Sequence, residues 1–170
     1  LVASKCFEEE KRQVEKSKPS LQELEVCAYI QTIISQKGGD TEFLRFRKNR
    51  SGYVDVYCLY NFLKFKVSKK GSYILIKNSY PVAKNYHTEL CTQSEGGTDN
   101  IRVYFTSPFD LEGLSEYIYL TFLNCHKSME EYVSCSNYRR QELEDSVRLM
   151  CFLTSKDVSS LLDGAKKREY

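Results

Sequence analysis

From Phe43 to Ile76 apolar residues fall mostly on alternate positions, and two glycine-bearing tetrads break the run. Asn49-Arg50-Ser51-Gly52 separates Phe43-Leu44-Arg45-Phe46-Arg47 from Tyr53-Val54-Asp55-Val56-Tyr57-Cys58-Leu59. Ser68-Lys69-Lys70-Gly71 separates Phe62–Val67 from Tyr73-Ile74-Leu75-Ile76. A period of two sends successive side chains to opposite faces, which suits a pleated strand and not a helix. Enrichment in Val, Ile, Phe and Tyr agrees with strand. Leu63, Phe65 and Val67 alternate with Lys64 and Lys66, so the segment reads as an antiparallel meander with one polar face.

Helical patterns flank this meander. Ser20-Leu21-Gln22-Glu23 is a capping box, in which serine and glutamate satisfy each other's free backbone donors. Leu21, Leu24, Cys27, Ala28, Ile30, Ile33 and Ile34 then share a broad apolar face, and Gly38-Gly39 ends the helix. Residues 78–100 are polar and rich in turn formers. They read as a long loop with a short element near Tyr86–Cys91. Ile101–Phe105 is a further strand. Ser107-Pro108-Phe109-Asp110 opens a helix whose buried stripe is Leu111, Leu114, Ile118, Phe122 and Cys125. Another helix is expected from Asn137 to Met150, followed by Cys151-Phe152-Leu153, which could be extended. Thr154-Ser155-Lys156-Asp157 starts a last amphipathic helix carrying Val158, Leu161, Leu162 and Ala165.

The expected fold is therefore α+β: an antiparallel sheet of four or five strands with helices packed on one face. Residues 1–19 read as a charged helix or linker, 20–135 as the α+β domain, and 136–170 as helices packed on that same domain. No apolar stretch approaches the roughly 20 residues that cross a bilayer. The opening Leu1-Val2-Ala3 runs straight into charged residues, unlike a secretory signal. The first residue is not Met, so a larger parent protein is expected to be a real option.

Charge is unevenly distributed. Between Phe43 and Lys84 there are ten Lys or Arg and a single acid, Asp55, a local +9 in a chain whose total is +2. Such separation favours a polyanion, or else guards a sheet edge with lysines. The candidate contact residues are Arg45, Arg47, Lys48, Arg50, Lys64, Lys66, Lys69 and Lys70. Arginine and lysine pair with phosphates, and tyrosine can stack on bases; Tyr53 is the expected anchor, with Tyr57 beside it.

Catalytic patterns are thin. Asp40-Thr41-Glu42 has the spacing of a metal-holding carboxylate pair but follows Gly38-Gly39 rather than an apolar strand. The seven cysteines show no C-x-x-C spacing, and with only two histidines beside them no zinc signature arises. Their positions suggest buried thiols in a reducing, cytoplasmic setting. Cys125 and His126 diverge on a helix; Cys91 and His87 could meet if their segment is helical. No catalytic residue, metal ligand or cofactor is assigned.

The order of elements resembles small α+β accessory domains attached to bacterial nucleases and restriction-associated proteins. The resemblance rests on Val54–Lys66, Lys69–Ile76 and Ile101–Leu111. It implies an auxiliary, substrate-positioning or partner-binding role and supplies no active-site residues. The expectation is a non-catalytic module of a larger bacterial or phage protein, whose basic sheet face contacts DNA, RNA or an acidic protein. The alternatives are a divergent nuclease using Asp40, Glu42 or Asp55, and a homodimerisation unit using tyrosine-rich helices.

Overall fold

The computed structural model describes Lys5, Glu8, Glu9, Lys11, Arg12 and residues 17–168. The charged helix or linker expected over 1–19 lies largely outside these residues. The first long element is α1 (Leu21–Gln36), and its capping box forms as the sequence dictates. The Glu23 carboxylate accepts from the Ser20 amide at 2.8 Å, and the Ser20 hydroxyl accepts from the Glu23 amide at 3.3 Å. Gly38, with φ 92°, takes the chain out of the helix in a conformation that other residues disfavour.

Six strands follow: β1 (Arg45–Lys48), β2 (Val54–Tyr57), β3 (Asn61–Lys66), β4 (Ser72–Lys77), β5 (Thr88–Leu90) and β6 (Asn100–Phe105). All pairings are antiparallel, in the spatial order β1-β2-β3-β4-β6-β5. The strand count exceeds the expected four or five because β5 forms within the segment read as loop. The chain leaves β4, lays down β5 as an exposed edge, and returns as β6 between β5 and β4. Two short 3-10 turns, Gln93–Glu95 and Gly97–Asp99, make that return.

A 3-10 segment, Pro108–Leu114, leads into α2 (Ser115–Ser134), and α3 (Asn137–Leu149) and α4 (Ser155–Lys167) complete the chain. The whole expected stripe of Leu111, Leu114, Ile118, Phe122 and Cys125 is buried. Leu21 departs from expectation and is exposed, since its position in the first turn lies outside the contact with the sheet. Cys151 is extended: it exchanges backbone hydrogen bonds with Phe46 at 2.8 and 3.0 Å and so closes the outer edge of β1.

One core joins these layers. Ile30, Ile33 and Ile34 of α1 and Ile118 and Phe122 of α2 meet Phe46, Val56, Phe65, Ile74 and Val103 of the sheet. Burying each such side chain contributes about 1.5–3 kcal/mol. The helices occupy one face of the sheet and leave the other free of helix. No described helix is long and apolar enough to cross a membrane.

Candidate functional site

Strand register fixes what the helix-free face presents. Directly paired residues share a face, so Arg47, Asp55, Lys64, Leu75, Arg102 and Glu89 form one row, one residue from each strand. Opposite charges neighbour one another along much of it. Asp55 is the hub at the β1–β3 end. Its carboxylate is buried and accepts from Asn61 at 3.0 Å and from Asn49 at 3.3 and 3.4 Å. The Arg47 and Lys64 cations each lie 3.9 Å from it.

A second row is aromatic. Tyr73 and Tyr104 are register partners, with ring centroids 5.4 Å apart, and Tyr53 lies edge-on to Tyr73 at 6.1 Å. The Lys64 and Lys66 ammonium groups sit 5.5 and 5.0 Å from the Tyr53 ring centroid. Glu95, from the first 3-10 turn, folds down onto this row. It accepts from the Tyr53 hydroxyl, from the Tyr73 hydroxyl at 3.0 Å and from Arg102 at 2.9 Å. Burial and the bond to Glu95 push the Tyr53 phenol well above its ordinary range. Tyr53 is therefore fixed as a brace between the turn and the sheet, with its ring already in contact with two lysines.

The expected contact residues divide among three places. Arg45 is inside the protein, only 4% exposed, and takes no part in a surface. Its Nη1 donates to the Cys58 carbonyl at 2.5 Å and the Phe43 carbonyl at 3.1 Å, and burial lowers its basicity. The sequence misleads here because Arg45 and Arg47 share strand parity while the chain just past β2 covers the first of them. Arg47, Lys64 and Lys66 project from the helix-free face. Arg50 is exposed in the adjoining turn, to which Lys66 is tied through the Ser51 carbonyl at 3.3 Å. Lys48 lies on the helix side, paired with Glu23 at 3.0 Å. With Lys69 and Lys70 it lines a recess of about 590 Å³ beside the start of α1.

The other candidates stay apart. Asp40 accepts from the Glu42 amide at 3.0 Å and faces His126 at 3.9 Å, whereas Asp55 serves the strand network above. Among the described residues no group of three or more His, Cys, Asp or Glu is placed to hold a metal ion. His87 precedes strand β5, so it and Cys91 do not share a helical turn.

Two features escaped the sequence reading. Glu95 and Arg102 are one; Thr92-Gln93-Ser94-Glu95 has the capping-box pattern that could have drawn attention to it. The other is the Cys125 sulfur, which accepts from the Leu59 amide at 3.3 Å and which nothing local in the sequence signals. Beside the aromatic row, a cleft of about 490 Å³ runs past Tyr60, Lys64, Leu75, Glu95, Tyr117 and Asn124. No family model, curated protein or solved structure matches the chain.

Proposed function

We propose that this chain is a non-catalytic accessory module that contacts a polyanion, nucleic acid first, through the helix-free face at strands β1–β3. The observation that carries this reading is a run of cations along that face: Arg47 and Lys64 lie 3.9 Å from Asp55, and Lys66 is tied to the turn that holds the exposed Arg50. These four cations outnumber the two buried carboxylates beside them, Asp55 and Glu95, and leave the patch positive. Such a patch attracts phosphates by charge and by release of condensed counterions.

The surface favours backbone contact over base recognition. Tyr53 is committed to Glu95 and to the lysines, and Tyr73 is buried, so neither presents an unoccupied stacking face. Tyr57 is half-buried, with the Arg45 and Arg47 guanidinium carbons 5.4 and 5.7 Å from its ring centroid. The expected signature is salt-sensitive, sequence-tolerant binding.

Fluorescence anisotropy with short single-stranded and duplex oligonucleotides tests this. Binding at low salt that weakens steeply as salt rises supports the reading. Absence of binding to any oligonucleotide at low salt removes it. An acidic peptide that binds in its place would identify a protein partner.

A further inference from the structure

The cleft of about 490 Å³ has the size of pockets that take small ligands, roughly 300–1,000 Å³. Lys64 and Leu75 line it from the helix-free face, Tyr117 and Asn124 from α2. Lys64 also belongs to the cation patch, 3.9 Å from Asp55, so cleft and patch are continuous. Tyr60, just before β3, lines the cleft and is 46% exposed. Among the described residues its ring meets no other ring and no cation. The backbone that carries it is pinned to α2: the Leu59 amide donates to the Cys125 sulfur at 3.3 Å, and the Cys125 thiol donates to the Tyr60 carbonyl at 3.4 Å. A ring held on a fixed backbone costs less to order in a contact. Polar groups without partners collect beside it. The Asn61 Nδ2 donates to Asp55 at 3.0 Å, while its Oδ1, enclosed, meets no donor. The amide of Asn124, exposed on α2, forms no hydrogen bond among the described residues. Lys77 adds a second cation to the lining, whereas the acid there, Glu95, is taken by Tyr53, Tyr73 and Arg102.

We propose, on the reading of the helix-free face as a nucleic-acid contact, that this cleft takes one unpaired base of a single strand whose phosphates lie on Arg47, Lys64 and Lys66. Tyr60 supplies the stacking face that Tyr53 and Tyr73, committed to Glu95, do not. Stacking on an aromatic ring serves any base, because every base has a π-face. The Asn124 amide, a donor and an acceptor at once, meets the edge of the base, and a hydrogen-bonding edge is common to all of them. The pocket therefore adds a demand for an unpaired base without choosing its identity, in keeping with sequence-tolerant binding. Lys64 and Lys77 hold the phosphates that flank the base. In a duplex each base has its faces in the stack and its edge on its complement, and reaching the cleft would require it to leave both. The substrate class is accordingly single-stranded nucleic acid.

The test is anisotropy titration of the full chain, at one low salt concentration, with a short labelled single strand, its duplex, and an abasic strand of the same length, which keeps the phosphates and lacks the bases. The expected result is that the base-bearing strand binds about fivefold or more tightly than the abasic strand, the scale of one stacked base, and more tightly than the duplex. Tyr60→Ala should remove that preference while leaving abasic affinity and its salt dependence unchanged; Tyr60→Phe, which keeps the ring, should retain it. Asn124→Ala, at an exposed helix position, should narrow the preference severalfold less and keeps the test open if Tyr60→Ala folds poorly. Equal affinity for base-bearing and abasic strands overturns the pocket and leaves the cationic face standing. A folded Tyr60→Ala that keeps the full preference overturns it too, as does an unchanged Asn124→Ala where Tyr60→Ala does not fold. Failure of every strand to bind overturns both the pocket and the face.

Discussion

Arg102 grips a single oxygen of Glu95: its Nε and Nη2 both lie 2.9 Å from Oε1. The other oxygen takes the Tyr53 and Tyr73 hydroxyls, so one carboxylate ties the turn before β6 to three positions on the sheet. Burial alone would raise the Glu95 carboxyl. Bonds from Tyr53, the Thr92 amide, Arg102 and Tyr73 outweigh it and hold the carboxyl at about 2. A folded value below the unfolded one gives stability that is complete above about pH 4.5 and is lost as pH falls toward 2. Glu95→Gln should therefore cost about 2 kcal/mol near neutral pH and much less in acid. Urea unfolding of both proteins at neutral and acid pH checks this; an equal gap at both pH values contradicts it.

The interior position of Arg45 separates stability from binding. Arg45→Ala leaves the Cys58 and Phe43 carbonyls without their donor and opens a cavity, and should destabilise by roughly 2–4 kcal/mol. Arg47→Ala removes a half-exposed cation 3.9 Å from Asp55 and should cost about 0.5 kcal/mol or less. Thermal melts of the two variants, side by side, give the comparison.

Three glycines should respond with different signs. A Cβ on Gly39 would lie 2.6 Å from Ile34 Cγ2 and 2.8 Å from Phe122 Cε1, so Gly39→Ala forces apart α1 and α2 at a cost of about 1–3 kcal/mol. Gly38→Ala meets no atom but keeps a φ of 92°, and should cost about 1 kcal/mol in backbone strain. Gly164, inside α4, has open space around it, and Gly164→Ala should stabilise by up to about 1 kcal/mol. Midpoints from denaturant titration read all three.

Local patterns carried the fold a long way. The α1 and α4 caps, the buried stripe of α2 and the strand alternation from Phe46 to Ile76 each depend on neighbours within a few residues, which the sequence displays directly. β5 was less legible because Thr88, Glu89 and Leu90 are all exposed and show no hydrophobic alternation. The charged face was legible only as a composition. Arg45 and Arg47 have the same parity, and only the path of the chain past Tyr57 determines that one is enclosed and the other open. Lys48 and Lys64 look alike in the sequence too, yet strand parity and the approach of α1 send them to opposite sides. Pairings such as Glu95 with Tyr53 or Cys125 with Leu59 span 42 and 66 residues, beyond what spacing can reveal.

Asp55 limits the positive potential of its own surroundings. Asp55→Asn removes the negative charge 3.9 Å from both Arg47 and Lys64 while keeping an acceptor for Asn49 and Asn61. It should tighten oligonucleotide binding severalfold at low salt, even as the strands lose some stability. Anisotropy titration of Asp55→Asn beside the unaltered chain decides the matter, and weaker binding by a folded variant contradicts the assignment of this face.

The most direct test of the account is the dependence of oligonucleotide affinity on salt, compared between the unaltered chain and the triple variant Arg47→Ala, Lys64→Ala, Lys66→Ala. Each lost phosphate contact should flatten the slope of log affinity against log salt by about one, so the triple variant should lose roughly two to three. Lys48→Ala, on the helix side and paired with Glu23, should leave the slope unchanged. A triple variant that folds and keeps the original slope would place the polyanion contact elsewhere, and the reading of the helix-free face would fail.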